Sequence, residues 1–168
     1  MGSQLDSFST QHQIKLLFVC MGNICRSPMA KWIMQDICDK HGVAAKFELD
    51  SCGTGDWHAG EGADPRSAKC GASHRLNIEH VARQITRGDV QTFDLILAMD
   101  RANLRDVLSL GASRTKVRLI REFDPLLKDV DDRDREVPDP YYGGEQGFEM
   151  MYEMLKRACE GLFATLQK

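Results

Sequence analysis

Residues 19–28, Val19-Cys20-Met21-Gly22-Asn23-Ile24-Cys25-Arg26-Ser27-Pro28, constrain this chain more than any other stretch. They run off the apolar segment Lys15–Val19 and lead directly into a helical pattern. A tight loop between a buried strand and a helix N-terminus gathers backbone N–H groups around one point, which makes an anion site. This loop begins with the thiol of Cys20 and closes with the guanidinium of Arg26. A phosphate held there would lie beside a nucleophile and under a bidentate donor.

The periodicity on either side supplies the frame. Ile14–Cys20 is a short apolar run suited to a central strand. From Pro28 the pattern turns helical, with Ala30, Ile33, Met34, Ile37 and Cys38 on one stripe. Ser27 reads as its N-cap, Pro28 as its first helical residue and Gly42 as its stop. Phe47–Ser51 reads as a second strand, followed by a loop over Cys52–His58. Asp64-Pro65 reads as the start of a short helix running to about His74. Phe93–Met99 is a third strand, Asp100 caps a short helix carrying Leu104, Val107 and Leu108, and Val117–Ile120 is a fourth strand. Glu122–Gly144 is a long loop rich in Asp and Pro, leaving function, disorder or a small helix open. Gly144–Leu166 carries a 3.6-residue apolar stripe and should be a long amphipathic helix. Strands alternating with helices predict a three-layer α/β/α architecture around a central four-stranded parallel sheet. Ligands in such sheets bind beyond the carboxyl ends of the strands, where the loop between the first strand and first helix lies. Residues 1–13 are polar and patternless and read as a flexible extension, leaving 14–168 as a single domain.

The 22 basic and 25 acidic side chains give a net charge of −3, which argues against a general nucleic-acid binder. No apolar run approaches the ~20 residues of a membrane span, and the start lacks a signal segment, so a cytoplasmic location is expected. Glu122–Asp139 holds eight acids against three bases, which reads equally as a solvated loop or as a face for a basic partner. Six cysteines permit a disulfide framework that a domain of this size does not need. Cys38 and Cys159 fall on apolar helical stripes, whereas Cys52 and Cys70 are isolated in sequence.

Four chemistries compete for residues 20–27. A nucleotide-binding loop would end in Gly-Lys-Ser/Thr, and no lysine is present. Zinc would need two more ligands close by. A thioredoxin-like loop has two residues between its cysteines, whereas four separate Cys20 from Cys25. Covalent phosphoryl transfer uses everything present. Cys20 would be the nucleophile, its thiolate stabilised by converging N–H dipoles and by Arg26. Amides from Met21 to Arg26 would bind the phosphoryl oxygens with the guanidinium, and the Ser27 hydroxyl would donate to the sulfur. The missing acid for a leaving oxygen is assigned to Asp139, held between Pro138 and Pro140 and followed by Tyr141 and Tyr142. An Asp-Pro turn with half-buried tyrosines is the plain alternative.

These residues closely resemble the low-molecular-weight protein tyrosine phosphatase family, particularly its bacterial members, from about Lys15 to Phe163. Residues 19–28 carry the likeness together with Gly-Thr-Gly-Asp-Trp-His at 53–58, His-x-Ala-Arg-Gln-Ile at 80–85, Ala-Met-Asp-x-x-Asn at 98–103 and Asp-Pro-Tyr-Tyr-Gly at 139–143. The resemblance implies hydrolysis of phosphotyrosine and small aryl phosphates through a cysteinyl-phosphate. Cys20 is then the nucleophile, Arg26 the phosphate clamp, and Asp139 the general acid and afterwards the base. It implies no cofactor and no metal. Asn23 matches a loop asparagine in the left-handed conformation, supported by Ser51 and His80. Ser27 matches the residue that stabilises the thiolate, and Asp100 a nearby supporting acid. Met21, Ile24, Trp57, Tyr141 and Tyr142 match cleft positions, with His58 beside them. Cys25 matches a second loop cysteine able to trap Cys20 as a reversible disulfide. Implied partners are phosphotyrosine proteins, such as a bacterial tyrosine kinase or a host protein, and phosphate-like anions, with the chain a monomer or weak dimer. Met21 stands where leucine is more usual, and the segment before Lys15 is longer than the family pattern. A thiol-dependent arsenate reductase and a phosphotyrosine-binding or redox-sensing module remain as alternatives.

Overall fold

The computed structural model describes residues 12–167. All but the last two residues of the expected extension, 1–13, therefore lie outside the described residues. Four parallel strands form one sheet in the order β2-β1-β3-β4, with β1 Ile14–Cys20, β2 Phe47–Gly53, β3 Leu95–Ala98 and β4 Val117–Leu119. Five helices complete the frame: α1 Arg26–Lys40, α2 Pro65–Ser73, α3 Arg87–Thr92, α4 Arg101–Ser109 and α5 Glu145–Leu166.

The central position of β1 follows from its sequence, because a strand covered on both faces must be apolar on both. Successive side chains alternate sides, and two separate cores result. Leu16, Phe18 and Cys20 pack with α1 and α5, while Leu17 and Val19 pack with Val90, Phe93, Leu104 and Val107 on the other face. Leu16 to Val19 are fully buried. This is the expected α/β/α sandwich. No helix among the described residues is long and apolar enough to cross a membrane.

Most expected elements form, with informative differences. α1 begins at Arg26, so Ser27 is its second residue and not its N-cap; Cys25 holds the cap position without a side-chain cap bond. The Ser27 hydroxyl is bonded within the preceding loop instead. Pro28 falls third in the helix, where its missing N–H is still an orphan of the first turn. Gly42 does follow the helix end, with φ +67°, and the N–H of Val43 reaches back to the Cys38 carbonyl at 3.0 Å.

β2 continues through Gly53, because Gly53 still pairs with Cys20 and also meets Gln84. β3 is shorter than Phe93–Met99. α3 was not expected from the apolar pattern; six residues are too few for a period, although Thr86 and Asp89 form a capping box. Asp64 and Asp100 cap α2 and α4 as expected, accepting from the backbone N–H of Arg66 and Asn103, both at 2.8 Å. The acidic stretch contains short 3-10 turns at Ile120–Phe123, Pro125–Leu127 and Asp132–Arg135 in place of one small helix.

Candidate active site

β1 delivers Cys20 to the carboxyl edge of the sheet, and after five intervening residues the chain enters α1 at Arg26. The intervening turn needs Asn23 in the left-handed region, at φ +59°, which asparagine tolerates better than most residues. Asn23 is fully buried and wholly committed. Its amide nitrogen donates to Ser27 Oγ at 2.8 Å and to Ser51 Oγ at 3.0 Å, and its side-chain oxygen accepts from the Arg83 N–H at 2.9 Å. The Asn23 carbonyl accepts from His80 Nε2, which fixes the proton on that nitrogen because a carbonyl can only accept. Burial draws the His80 pKa below its ordinary value, outweighing the opposing pull of that hydrogen bond. Gly53 lets β2 approach this turn: a Cβ there would lie 2.7 Å from the Met21 carbonyl oxygen.

The sulfur of Cys20 lies 3.0 Å from Ser27 Oγ and accepts from the Asn23 N–H at 3.3 Å. Ser27 Oγ already accepts from Asn23, and its one proton faces the sulfur at 3.0 Å and the Cys52 carbonyl at 3.3 Å. Among the described residues, the backbone N–H groups of Gly22, Ile24, Cys25 and Arg26 find no backbone acceptor. They are the orphan donors expected where a helix starts.

The Arg26 side chain is almost wholly buried, with 3% of its area exposed. Nη1 donates to Asp100 Oδ2 at 2.7 Å and to the Val137 carbonyl at 3.1 Å. Nη2 lies 3.5 Å from Asp139 Oδ2. Burial works against the guanidinium charge, but Cys20, Asp100 and Asp139 together hold its pKa above the ordinary value. Asp139 is pinned by its neighbours: Oδ1 accepts from the Tyr141 N–H at 3.0 Å, leaving Oδ2 toward Arg26.

A cleft of about 400 Å³ opens above these groups. Cys20, Met21, Gly22, Ile24, Cys25 and Arg26 form its floor, and Trp57, His58, Asp139, Tyr141 and Tyr142 its walls. Trp57 is 68% and Tyr142 87% exposed, so both rings stand at the rim with an apolar face free. The Tyr141 and Tyr142 rings meet edge to face at 5.0 Å, and His58 Nδ1 is paired with Glu61 at 2.6 Å. Asn23, Ser27, Ser51, His80 and Asp100 do not line the cleft; they form the layer beneath and beside it. Cys25 is buried next to Cys20 with a free thiol. Burial first, then the charges of Asp64, Cys20 and Asp139, push that thiol well above the ordinary range.

Three contributors escaped the sequence reading. The Val137 carbonyl that orients Arg26 is a backbone atom and leaves no residue-type signal. Arg83 sits inside the 80–85 motif from which only His80 was read; its guanidinium binds Asp50 at 2.9 Å and Asp89 at 2.8 Å. Arg66, chelated by Asp64, lies over the Tyr141 ring at 5.4 Å and so backs one cleft wall.

The model of the family described as low molecular weight phosphotyrosine protein phosphatase matches residues 15–168. A low molecular weight protein-tyrosine-phosphatase of Streptomyces coelicolor is 43% identical over 157 residues, covering 92% of this chain and 94% of the relative. A crystal structure of a protein tyrosine phosphatase from Entamoeba histolytica, with Hepes in its active site, superposes with a TM-score of 0.84 at 37% identity, covering 92% and 97% of the two chains. A Drosophila arginine phosphatase shares the fold with a TM-score of 0.83 at 31% identity, covering 92% and 98%. The chain therefore belongs to the low molecular weight phosphotyrosine protein phosphatase family, hydrolases of phosphoric monoesters.

Proposed function

We propose that the protein hydrolyses phosphotyrosine in proteins, and small aryl phosphates, through a cysteinyl-phosphate. The observation that carries this reading is one cleft holding the Cys20 sulfur, the buried Arg26 guanidinium and the Asp139 carboxylate. The phosphoryl group is bound by Arg26 and by the orphan N–H groups of Gly22, Ile24, Cys25 and Arg26, donors already aimed before charge shifts in the transition state. Cys20 Sγ attacks phosphorus, forming S–P as the P–O bond to the phenol breaks. Asp139 gives its proton to the departing oxygen. It then takes a proton from water, whose oxygen forms the new P–O bond as S–P breaks and the thiolate returns. The Ser27 hydroxyl supports that thiolate, and Asp100 keeps Arg26 turned so that Nη2 faces the cleft.

The walls favour a flat aryl group. Ile24, Trp57 and Tyr141 present apolar surface, whereas a phosphorylated guanidinium would bring N–H donors to a cleft whose lining holds one carboxylate, Asp139. A single domain over 14–168 performs this chemistry in the cytoplasm as a monomer or weak dimer, on phosphotyrosine proteins that include a bacterial tyrosine kinase or a host protein. It uses no metal in the reaction. Cys25 makes it redox-switchable: attack of its sulfur on an oxidised Cys20 releases water and forms a disulfide that thiols reopen.

The test is phosphate release from aryl phosphates of graded leaving-group acidity, in chelator-treated buffer with fresh thiol. Cys20→Ser should show no turnover above background while keeping phosphate affinity. Asp139→Ala should lose about 10²–10⁴-fold on the poorest leaving group and much less on the best. Equal slowing across the series would remove Asp139 from the acid role, and an inactive reduced parent would remove the phosphatase reading.

A further inference from the structure

The seam between α2 and α5 holds a cluster that the cleft does not use. Cys70 lies on α2, His74 one turn later at its C-cap, and Glu149 just beyond the first turn of α5. Spacing of four residues places Cys70 and His74 on one face of the helix. One ligand atom from each of the three side chains lies within 4.8 Å of the other two. His74 Nε2 is 2.6 Å from Glu149 Oε1, and Cys70 Sγ is 3.5 Å from Glu149 Oε2, so the carboxylate spans both partners. The imidazole is held flat against Tyr152, with ring centres 3.6 Å apart and planes within 11°. Cys70 and Glu149 border a cavity of about 340 Å³ that shares no lining residue with the catalytic cleft. Isolated in sequence, Cys70 is therefore not isolated in the fold.

We propose that Cys70, His74 and Glu149 form a binding site for a zinc-class divalent cation. A thiolate, an imidazole and a carboxylate suit a borderline-soft ion such as Zn²⁺, with three protein ligands and one open position toward the cavity. Bond lengths of about 2.0–2.3 Å place tetrahedral donors roughly 3.3–3.8 Å apart. The Cys70–Glu149 separation already falls there. That distance runs to Oε2, whereas His74 Nε2 sits 2.6 Å from the other oxygen, Oε1, and must separate from it by about 1 Å for the ion to enter, a movement available to the half-exposed Glu149 side chain. On binding, Cys70 gives its proton to solvent as the S–metal bond forms, and His74 coordinates through a deprotonated Nε2 with its remaining proton on Nδ1. Two anionic ligands then balance the 2+ charge, which suits a seam where Cys70 is buried.

Such an ion would tie α2 to α5. α2 in turn touches the phosphate loop, through Ser67 Oγ on the Cys25 carbonyl at 3.3 Å and the Asp64 N–H on the Ile24 carbonyl at 2.9 Å. The site is thus a brace behind the loop, separate from the reaction itself.

Titration with Co²⁺, read by its thiolate-to-cobalt absorption, tests the site without any activity measurement. The full-length Cys20→Ser protein is the background, so that the nucleophile cannot supply the thiolate. One equivalent of Co²⁺ should saturate the band, Zn²⁺ should displace it, and Zn²⁺ should raise Tm. Adding Cys70→Ala should abolish the band, and adding Cys25→Ser should leave it. His74→Gln or Glu149→Gln, each at a partly exposed position, should weaken Co²⁺ binding by more than about 10-fold. No band at stoichiometric Co²⁺, a band that survives Cys70→Ala, or unchanged affinity in both the His74 and Glu149 variants would overturn the proposal. In that case the cluster is only a hydrogen-bonded seam.

Discussion

Ser27 shows how a side chain can be claimed by two structures at once. A serine before Pro28 has the composition of a helix cap, yet its hydroxyl is bonded to Asn23 and faces the Cys20 sulfur, and the helix starts one residue earlier without a capping side chain. Burial decides between the two roles. Asn23 is fully buried and must be satisfied, whereas the N–H groups of Ile24, Cys25 and Arg26, residues that line the cleft, have no backbone acceptor and can be left to an anion. Cys25 is decided by the same kind of accounting. Its thiol is pushed far up by burial and by Asp64, Cys20 and Asp139, so it stays protonated at neutral pH and does not compete with Cys20, the proposed nucleophile. As a resolving partner it must shed that proton as its sulfur attacks the oxidised Cys20. The expected result is that Cys25→Ser keeps its turnover under reducing conditions but, after brief peroxide treatment, recovers far less activity with thiol than the parent does. Equal recovery of the two proteins would remove the protective role. Cys20, Arg26 and Asp139 were legible as residues because their types and neighbours are unusual; the Val137 carbonyl that helps to aim Arg26 was not, since a backbone atom leaves no residue-type signal.

Elements with a full period were readable, and those without one were not. β1 and α5 carry long apolar signals and appear close to their expected bounds, whereas α3 and the 3-10 turns between 120 and 135 are too short to show any period. The acidic stretch is nevertheless anchored. Buried Asp124 is gripped by Arg157 of α5 at 3.3 Å, and the buried Arg121 side chain donates to the Glu136 carbonyl at 2.9 Å, beside the segment that carries Val137 and Asp139. α5 comes so near the stretch that a Cβ on Gly161 would lie 1.8 Å from the Phe123 carbonyl oxygen. In an open helix Gly161→Ala would stabilise by about 1 kcal/mol. Here the backbone carbonyl cannot swing aside as a side-chain tip could, so helix and strap must separate. The substitution should instead destabilise by about 1–3 kcal/mol, read as a Tm lower by about 2–4 °C for each kcal/mol. A Tm equal to or above that of the parent would mean that the strap is not held against α5.

At the scale of the whole molecule, the order β2-β1-β3-β4 puts the loop after β1 between two strands, so segments distant in sequence can converge beneath it. Ser51 from β2, His80 and Arg83 from the connection after α2, and Asp89 from α3 all join one network around Asn23. The family resemblance named Ser51 and His80 as supports; the routing through Arg83 to Asp50 and Asp89 depends on how the chain crosses the sheet, which no local pattern encodes. This network links the site to global stability through pH. Burial holds the folded pKa of His80 below its unfolded value of about 6.5. Between those two values the unfolded chain binds a proton that the folded one refuses, so stability must rise with pH there. The contribution is complete above about pH 6.5 and is lost as pH falls through that value toward the lower folded pKa. Asp64 and Asp89, whose pKa values are held below the ordinary carboxylate range, add a separate loss only below about pH 4. Urea midpoints measured from pH 7.5 to 5 should therefore fall more steeply for the parent than for His80→Gln, whose amide can still donate to the Asn23 carbonyl but does not titrate. Parallel profiles would show that His80 enters the fold without a proton penalty, and that the loop tolerates a charged imidazole beneath it.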